Sequence, residues 1–156
     1  MRFDLLVNEM ARASAMKEVI HIYSPEAWRP FLHVRDAVRA VEQVLNADKN
    51  LICNQVFNMV GENFRKRELV EMVCRNFPDS RIRLEEGKLD PRDYRVTSNK
   101  ISNLLDIQAE CTIEEAFAEV VKLTSSGAII DPILPKFRAV PSPNDLKWRT
   151  ETLSLS

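Results

Sequence analysis

Two arginines carry the most informative chemistry of this sequence. Arg29 stands immediately before Pro30, and Arg92 lies in a polar stretch far downstream. A guanidinium group binds phosphate oxygens through paired hydrogen bonds and stays charged at every accessible pH, so two arginines on separate loops can hold a diphosphate from both sides. Taken singly, an arginine is more often a surface residue than a ligand contact, and Arg92 could pair with Asp90 or Asp93.

Short strands and amphipathic helices are expected to position these arginines. Pro30 keeps Arg29 extended, because the residue before a proline avoids the helical region. Hydrophobic periodicity predicts strands at 19–23, 31–34, 55–60, 81–85 and 94–96, and helices at 3–16, 37–45, 64–77, 99–105 and from 113 onward. The residues suited to cap the later helices are Asp36, Asn63, Ser98 and Thr112. This pattern indicates an α/β domain, a small lobe rather than a complete doubly wound sheet.

Composition narrows the function classes. The chain has 156 residues, enough for one domain with a hydrophobic core. A net charge of −1 argues against a nucleic-acid binder, because neutralising phosphates requires a basic excess. No apolar run has the length of a membrane span, and the first residues lack the apolar core of a signal peptide, so we expect a cytoplasmic protein. Three separated cysteines and two histidines argue against a zinc site.

Glycine is scarce in this chain. The three glycines, Gly61, Gly87 and Gly127, lie far from one another. A dinucleotide-binding fingerprint needs three clustered glycines between a strand and a helix, and a P-loop needs Gly-Lys-Ser or Gly-Lys-Thr. The sequence contains neither motif, so we expect no nucleotide-cofactor site of these two kinds.

The C-terminal segment differs in composition from the rest. Four of the eight prolines lie between Pro132 and Pro143. Proline at this density prevents helices and central strands. We therefore predict a lobe over residues 1–125 and an extended or partly disordered arm over residues 126–156.

The order of the motifs resembles one protein family. The motifs are, in chain order, Ile22-Tyr23, Arg29-Pro30-Phe31-Leu32-His33-Val34-Arg35-Asp36, Phe57-Asn58-Met59-Val60-Gly61, Asp90-Pro91-Arg92-Asp93-Tyr94-Arg95-Val96 and Thr112-Ile113-Glu114-Glu115. Over about residues 2–125, this run resembles the C-terminal portion of extended short-chain dehydrogenases/reductases, the NAD-dependent nucleotide-sugar epimerases and dehydratases. In that family these elements form the substrate-binding lobe.

This resemblance implies roles for four residues. Arg29 and Arg92 match the two arginines that the family uses on the diphosphate of a nucleoside-diphosphate sugar. Tyr23 matches a strand that flanks the nucleobase, although core packing explains a tyrosine there equally well. Asn8 lies where the lobe's helix often carries an asparagine that faces the substrate. The implied partner is thus a nucleoside-diphosphate sugar.

Two parts of the family pattern are missing from this sequence. The glycine-rich nucleotide-binding half is absent, and so is the catalytic Tyr-x-x-x-Lys, because Ala27 stands four residues after Tyr23 and Ser98 stands four after Tyr94. NAD carries the redox chemistry of the intact family enzyme. We therefore expect no cofactor site in this chain and no turnover by the chain alone.

Three alternatives remain for a lobe without its cofactor domain. It could be a non-catalytic interaction module, an oligomerising remnant, or one half of a split enzyme completed by a separate chain that carries the Rossmann domain. The apolar surface left without that domain would favour self-association or such a partner.

Overall fold

Helices and short strands alternate along the chain in the computed structural model, which describes residues 2–85 and 92–129. In chain order the elements are α1 (Leu6–Ala15), β1 (Val19–Tyr23), β2 (Trp28–Phe31), α2 (Val34–Asn46), α3 (Lys49–Ile52), β3 (Glu62–Arg65), α4 (Lys66–Asn76), β4 (Arg81–Glu85), α5 (Asn99–Leu105) and α6 (Ile113–Ser125). The small α/β architecture is confirmed for the described residues. Of the expected arm at 126–156, residues 130–156 lie outside the described part of the chain.

The strands form two separate pairs. Strand β1 lies parallel to β4, with Val19 opposite Arg81 and Tyr23 opposite Glu85. Strand β2 lies antiparallel to β3 and begins where Trp28 pairs with Arg65. Both β1 and β4 have the bounds that hydrophobic periodicity predicts for them.

Two hydrophobic clusters hold these elements. The larger cluster joins α1, β1, α4 and α6, and its fully buried side chains include Met10, Ile22, Val73 and Phe117. The smaller cluster contains Ala40, Ile101 and Ile107, against which Val44, Phe57, Met59 and Leu105 pack. Burial of these apolar side chains is the main favourable contribution to folding. No helix within the described residues is long and apolar enough to cross a bilayer.

The start of α2 differs from the prediction. Residues 31–34 do not form the second strand, because β2 ends at Phe31 and the helix already begins at Val34. His33 takes the N-cap position, where its Nδ1 accepts a hydrogen bond from the Arg35 N–H at 3.1 Å. Asp36, predicted as the cap, therefore lies inside the first turn, and its carboxylate bonds elsewhere.

The predicted helix at 64–77 begins two residues late. Residues 62–65 form β3, because the antiparallel partner β2 offers them a hydrogen-bonded ladder. Arg65 then takes the N-cap position, and the Glu68 carboxylate accepts from the Arg65 N–H at 2.6 Å. Asn63, predicted as the cap, lies within the strand and uses its side chain on a distant segment.

Two further predicted strands are wrong. Residues 55–60 are extended but belong to no strand pair among the described residues. Residues 94–96 likewise belong to no strand pair. The Val96 N–H and C=O groups bond the side chain of Asn63 instead of a neighbouring strand. The short helix α3 has no predicted counterpart.

The predicted capping box of α6 is confirmed. Thr112 Oγ1 accepts from the Glu115 N–H at 3.2 Å, and Glu115 Oε2 accepts from the Thr112 N–H at 2.9 Å. The bonds that Thr112 donates lower the pKa of the Glu115 carboxyl group. The capping box thus satisfies the amides of Thr112 and Glu115. Helix α6 begins directly after it, at the buried residue Ile113.

Candidate functional site

A cleft of about 1620 Å³ opens between α1, β1, β2 and α6. Its lining includes all four residues singled out from the sequence: Asn8 of α1, Tyr23 of β1, Arg29 of β2 and Arg92 of the segment before α5. These residues come from four different parts of the chain, so only the tertiary fold brings them together. Their contact with a ligand stays a prediction.

The two arginines are linked directly. Arg29 Nη1 donates to the Trp28 carbonyl at 2.6 Å and also to the Arg92 carbonyl. These two bonds to backbone carbonyls orient the Arg29 guanidinium group. Arg29 thereby holds the Arg92 backbone at the edge of the cleft, while the Arg92 residue itself is exposed.

Side chains attach the segment that carries Arg92 to the β2–β3 pair. The Asp93 carboxylate accepts from the Trp28 N–H at 2.8 Å. The Asn63 side chain donates to the Val96 carbonyl and accepts from the Val96 N–H, both at 2.9 Å. Both pairings of Arg92 that the sequence allows, with Asp90 or with Asp93, stay open, and Asp90 lies outside the described residues.

The Trp28 ring adds a second attachment. It lies between the guanidinium groups of Arg65 and Arg95, which are 5.0 Å and 4.8 Å from the ring centroid. A guanidinium over an aromatic face is attracted by the ring quadrupole. Arg95 therefore helps to hold the segment of residues 92–98 against Trp28 of β2.

Ser98 completes the attachment at the far end of the segment. It stands at the N-cap of α5, as predicted, but its hydroxyl makes no capping bond there. The Ser98 hydroxyl instead accepts from the Val60 N–H at 2.7 Å and donates to the Val60 carbonyl at 3.1 Å. The segment is thus fixed by polar side chains at both ends.

Replacing Ser98 with alanine is expected to lower the free energy of unfolding by about 1–2 kcal/mol, because two partly buried backbone groups of Val60 lose their partner. Urea unfolding followed by circular dichroism measures this change. The matched control, Ser102→Ala within α5, removes a hydroxyl without a hydrogen bond among the described residues and should change stability by less than about 0.5 kcal/mol. Equal effects of the two substitutions would contradict the assignment.

Tyr23 and Asn8 lie on the wall of the cleft. Tyr23 is 37% exposed, on the outward face of β1, so it is not the core residue that the alternative reading of the sequence allows. Asn8 Nδ2 donates to the Arg2 carbonyl at 2.7 Å, which orients the amide. Both side chains are therefore placed by the fold on the surface that Arg29 and Arg92 share.

Sequence reasoning missed two further groups of the cleft. Lys66 is buried, and its Nζ donates to the Tyr23 carbonyl at 2.8 Å. The His21 Nδ1 and the Glu85 Oε1 lie 2.7 Å apart across the β1–β4 pair. His21 and Glu85 are 64 positions apart, so only the parallel register of β1 and β4 reveals their contact. The sequence around Lys66 gives no signal that this lysine is buried.

The α6 side of the cleft carries an ion pair. Arg35 Nη2 lies 2.7 Å from Glu119 Oε1, and His33 Nε2 lies 3.7 Å from the same carboxylate. Arg2 is paired in the same way with Asp4, at 2.9 Å. Four arginines therefore line the cleft: Arg2, Arg29, Arg35 and Arg92.

Asp36 fixes the loop that leads into α6. The residue is 1% exposed, and its carboxylate accepts from the N–H groups of Glu110 at 3.2 Å and Cys111 at 3.0 Å, and from Arg39 Nη2 at 2.8 Å. Burial alone would raise the pKa of Asp36, but the two backbone bonds and Arg39 outweigh it and hold this pKa below its ordinary value. Burial, followed by the Asp36 charge, raises the pKa of the neighbouring Cys111 thiol.

Gly61 does not have the position of a dinucleotide-binding glycine. Gly61 precedes strand β3 rather than a helix, and a Cβ on it would lie 3.3 Å from the Phe31 carbonyl oxygen, so this glycine serves backbone packing. Pyrophosphate binding of the dinucleotide type requires a glycine-rich turn that opens a helix. Within residues 2–85 and 92–129, no group of three or more His, Cys, Asp or Glu side chains is placed to hold a metal ion.

Solved structures share this fold. The UDP-glucuronic acid 4-epimerase of Bacillus cereus, solved with UDP-glucuronic acid and NAD, matches with a TM-score of 0.69 over 81% of this chain and 41% of its own, at 16% identity. RMD of Pseudomonas aeruginosa, solved with NADPH, matches with a TM-score of 0.67 over 81% and 44%, at 19% identity. Over the matched part, this chain shares the short-chain dehydrogenase/reductase fold of these structures. A GalE-like L-threonine dehydrogenase of Cupriavidus necator matches with a TM-score of 0.60 over 73% and 43%, at 17% identity.

The extent of these matches is as informative as their fold. The chain spans less than half the length of each of these short-chain dehydrogenase/reductase structures. No protein-family model matches the sequence. The fold that the sequence motifs predict is therefore confirmed, over the part of these structures that the chain matches.

Proposed function

We propose that this chain binds a nucleoside-diphosphate sugar, as the substrate-binding part of an NAD-dependent epimerase or dehydratase. The observation that carries the proposal is the single cleft shared by Asn8, Tyr23, Arg29 and Arg92, with Arg29 bonded to the Arg92 carbonyl. One structure with this fold, the Bacillus cereus epimerase, contains UDP-glucuronic acid. That ligand belongs to the chemical class that the cleft is proposed to take.

The charges of the cleft support a diphosphate as the anchored group. Arg2 and Arg35 are each neutralised by a carboxylate of the same cleft, Asp4 or Glu119. Arg29 and Arg92 add two further guanidinium groups to the same cleft, and the bond from Arg29 to the Arg92 carbonyl brings the two segments together. Two guanidinium groups that share a wall match the two linked anions of a diphosphate better than a single phosphate.

The other proposed contacts follow from position. The aromatic ring of Tyr23, on the exposed face of β1, offers a surface for a nucleobase. Asn8 carries donors and an acceptor suited to sugar hydroxyls. NAD would supply the hydride chemistry of such a reaction, and the described residues are proposed only to bind and orient the substrate.

Replacing Arg92 with glutamine is expected to weaken UDP binding by at least about 10-fold, because a charge-assisted hydrogen bond to phosphate is lost. Isothermal titration calorimetry with UDP, GDP and UDP-glucuronic acid at low salt measures the dissociation constants. Arg92→Lys keeps the positive charge but cannot donate paired hydrogen bonds. Its affinity for UDP should therefore lie between that of the original chain and that of Arg92→Gln. Uridine, which lacks phosphate, should bind more weakly than UDP.

The matched control for this measurement is Arg67→Gln. Arg67 is an exposed arginine that pairs with Glu26 and does not line the cleft, so its loss should leave UDP affinity within about twofold of the original value. The proposed function fails if the chain shows no affinity for any of the three nucleotides up to millimolar concentration. It also fails if Arg92→Gln and Arg67→Gln behave alike.

A further inference from the structure

A second concavity, of about 570 Å³, lies between α4, β3 and the start of α6. Its lining combines apolar side chains with carboxylates. The apolar residues are Phe64, Met72, Ile113 and Ala118, and the carboxylates are Glu62, Glu68, Glu71, Glu114 and Glu115. Met72 and Ile113 are buried whereas Glu71 and Glu114 are exposed, so apolar groups form the floor and carboxylates form the rim. We call this concavity the acidic groove.

Three of the carboxylates are held by the backbone. Glu62, Glu68 and Glu115 each accept a hydrogen bond from a backbone N–H at the start of α4 or α6, at 2.6, 2.6 and 2.9 Å. An amide is a neutral donor, so these bonds fix the carboxylates in place while the negative charge of the groove remains.

The other two carboxylates, Glu71 of α4 and Glu114 of α6, stand on opposite walls of the groove. Within residues 2–85 and 92–129, neither side chain makes a hydrogen bond or an ion pair. Arg75, the one basic residue among the described lining residues, stands four positions after Glu71 but does not pair with it. The groove therefore combines an apolar floor with an excess of negative charge, which suits a segment that carries an aromatic ring and more than one cation.

A segment of that chemistry occurs in the sequence after the described residues. Lys136, Phe137 and Arg138 follow Pro135, and the two cations are the first basic residues after Ile129. Proline favours the polyproline II conformation, whose three residues per turn point successive side chains about 120° apart. In that conformation the Phe137 ring would face the floor of the groove, and the two cations would face opposite walls.

The chain is long enough for this segment to reach the groove. Ile129 packs against the larger hydrophobic cluster shortly after α6 ends at Ser125. The 13 residues of α6 span about 20 Å, which is the distance from the end of the helix back to the groove at its start. The segment from Ile129 to Phe137 spans about 25 Å when it is extended, so Phe137 can lie in the groove.

We propose that the acidic groove binds the segment Lys136-Phe137-Arg138 of the same chain. The Phe137 ring covers the apolar floor, and the two cations pair with Glu71 and Glu114. Burial of the ring provides the apolar contribution, and the ion pairs set the direction in which the segment lies. The inference does not rest on the proposed function, because it concerns the groove between α4 and α6 and requires no nucleotide.

The covalent connection favours this segment over other occupants. A short tether gives a binding segment an effective concentration on the order of millimolar at its site, without any further contact. The later triad Lys147-Trp148-Arg149 has the same order of residue types. Its tether from Ile129 is longer, and effective concentration falls with tether length, so the earlier triad is the preferred occupant.

Carbodiimide crosslinking of the full chain, followed by peptide mass spectrometry, tests the inference. The reagent couples a carboxylate to a lysine amine, with loss of water, when the two groups are in contact. We expect links from Lys136 to Glu71 or Glu114 that are at least about 5-fold more abundant than links from Lys136 to Glu42. Glu42 is an exposed carboxylate of α2 that does not line the groove, so its links measure chance encounters.

Two variants identify the contact. Phe137→Ser keeps both cations but removes the ring, and should reduce the Lys136 links to the groove at least about 3-fold. The matched control, Trp148→Ser, removes the ring of the later triad and should leave these links unchanged. Neither substitution alters a residue of the described fold, so the comparison does not depend on a change in folding.

Three results would overturn the inference. The first is that Lys136 links to Glu42 as often as to the groove, or does not link to the groove at all. The second is that Lys147 links to the groove in place of Lys136, or that Phe137→Ser leaves the links unchanged. The third is that the links join two chains, which an equal mixture of isotope-labelled and unlabelled chain would show, because a second copy would then occupy the groove.

Discussion

Asp36→Ala is expected to lower the free energy of unfolding by about 3 kcal/mol. The substitution removes the acceptor of two backbone N–H groups, those of Glu110 and Cys111, and the partner of Arg39, at a position where the carboxylate is buried. Buried donors without acceptors are costly because water cannot replace the lost bond. Urea unfolding at pH 7, followed by far-ultraviolet circular dichroism, measures the change.

Two further variants isolate the cause. Asp36→Asn keeps the size and one acceptor oxygen, so it should destabilise the fold by less than Asp36→Ala. Glu42→Ala, on the exposed side of the same helix, should be nearly neutral. If Asp36→Ala costs no more than Glu42→Ala, the carboxylate does not hold the loop before α6.

Acid should remove the contribution of Asp36. In the folded state its pKa is below the ordinary value of 3.8, so the folded state binds a proton less readily than the unfolded chain. The stabilisation is therefore fully present above the unfolded pKa and is lost as the pH falls through the folded pKa. Asp36→Asn should flatten that acidic decline, which unfolding curves between pH 7 and pH 3 would show as a shrinking difference from the original chain.

Arg29→Ala is expected to weaken UDP binding by about 100-fold, the largest loss for any single cleft residue. Arg29 both contributes a cation to the cleft and holds the Arg92 carbonyl. Its removal should therefore reduce its own contact with the diphosphate and release the segment that carries Arg92. Calorimetric titration with UDP measures the first effect, and hydrogen exchange of residues 92–97 measures the second.

Asn63→Ala separates the two effects. Asn63 does not line the cleft, but its side chain holds Val96, so this variant should release the segment while the Arg29 cation stays in place. We expect a smaller loss of UDP affinity than with Arg29→Ala. Equal losses in the two variants would mean that Arg29 acts only by positioning Arg92, and Arg29→Lys would then bind UDP as weakly as Arg29→Ala.

Local pattern predicts the strands with clear hydrophobic periodicity and the helix cap that a short residue spacing specifies. The bounds of β1 and β4 and the capping box of α6 follow from periodicity and from the Thr112–Glu115 spacing. The four residues that the family resemblance names line one cleft, and their contact with a ligand stays a prediction. Their role in binding was not accessible from the fold alone.

The differences at three predicted helix caps share one physical origin. Asp36, Asn63 and Ser98 are residue types that cap helices, and each was assigned to the nearest helix start. In the structure all three side chains bond backbone groups of distant residues instead, from 33 to 75 positions away. A short polar side chain satisfies either a local or a remote backbone group, and sequence spacing does not reveal which one prevails.

The same three attachments bear on how far such a sequence can diverge. Each joins a specific side chain to the backbone of Val96, Cys111 or Val60, so the receiving position contributes only the groups that every residue except proline provides. Few substitutions are therefore expected to be tolerated at the three positions whose side chains make these bonds. More should be tolerated at the three positions that contribute only backbone groups. A fold held in this way retains its shape while most side chains change, which is consistent with matched structures at 16–19% identity.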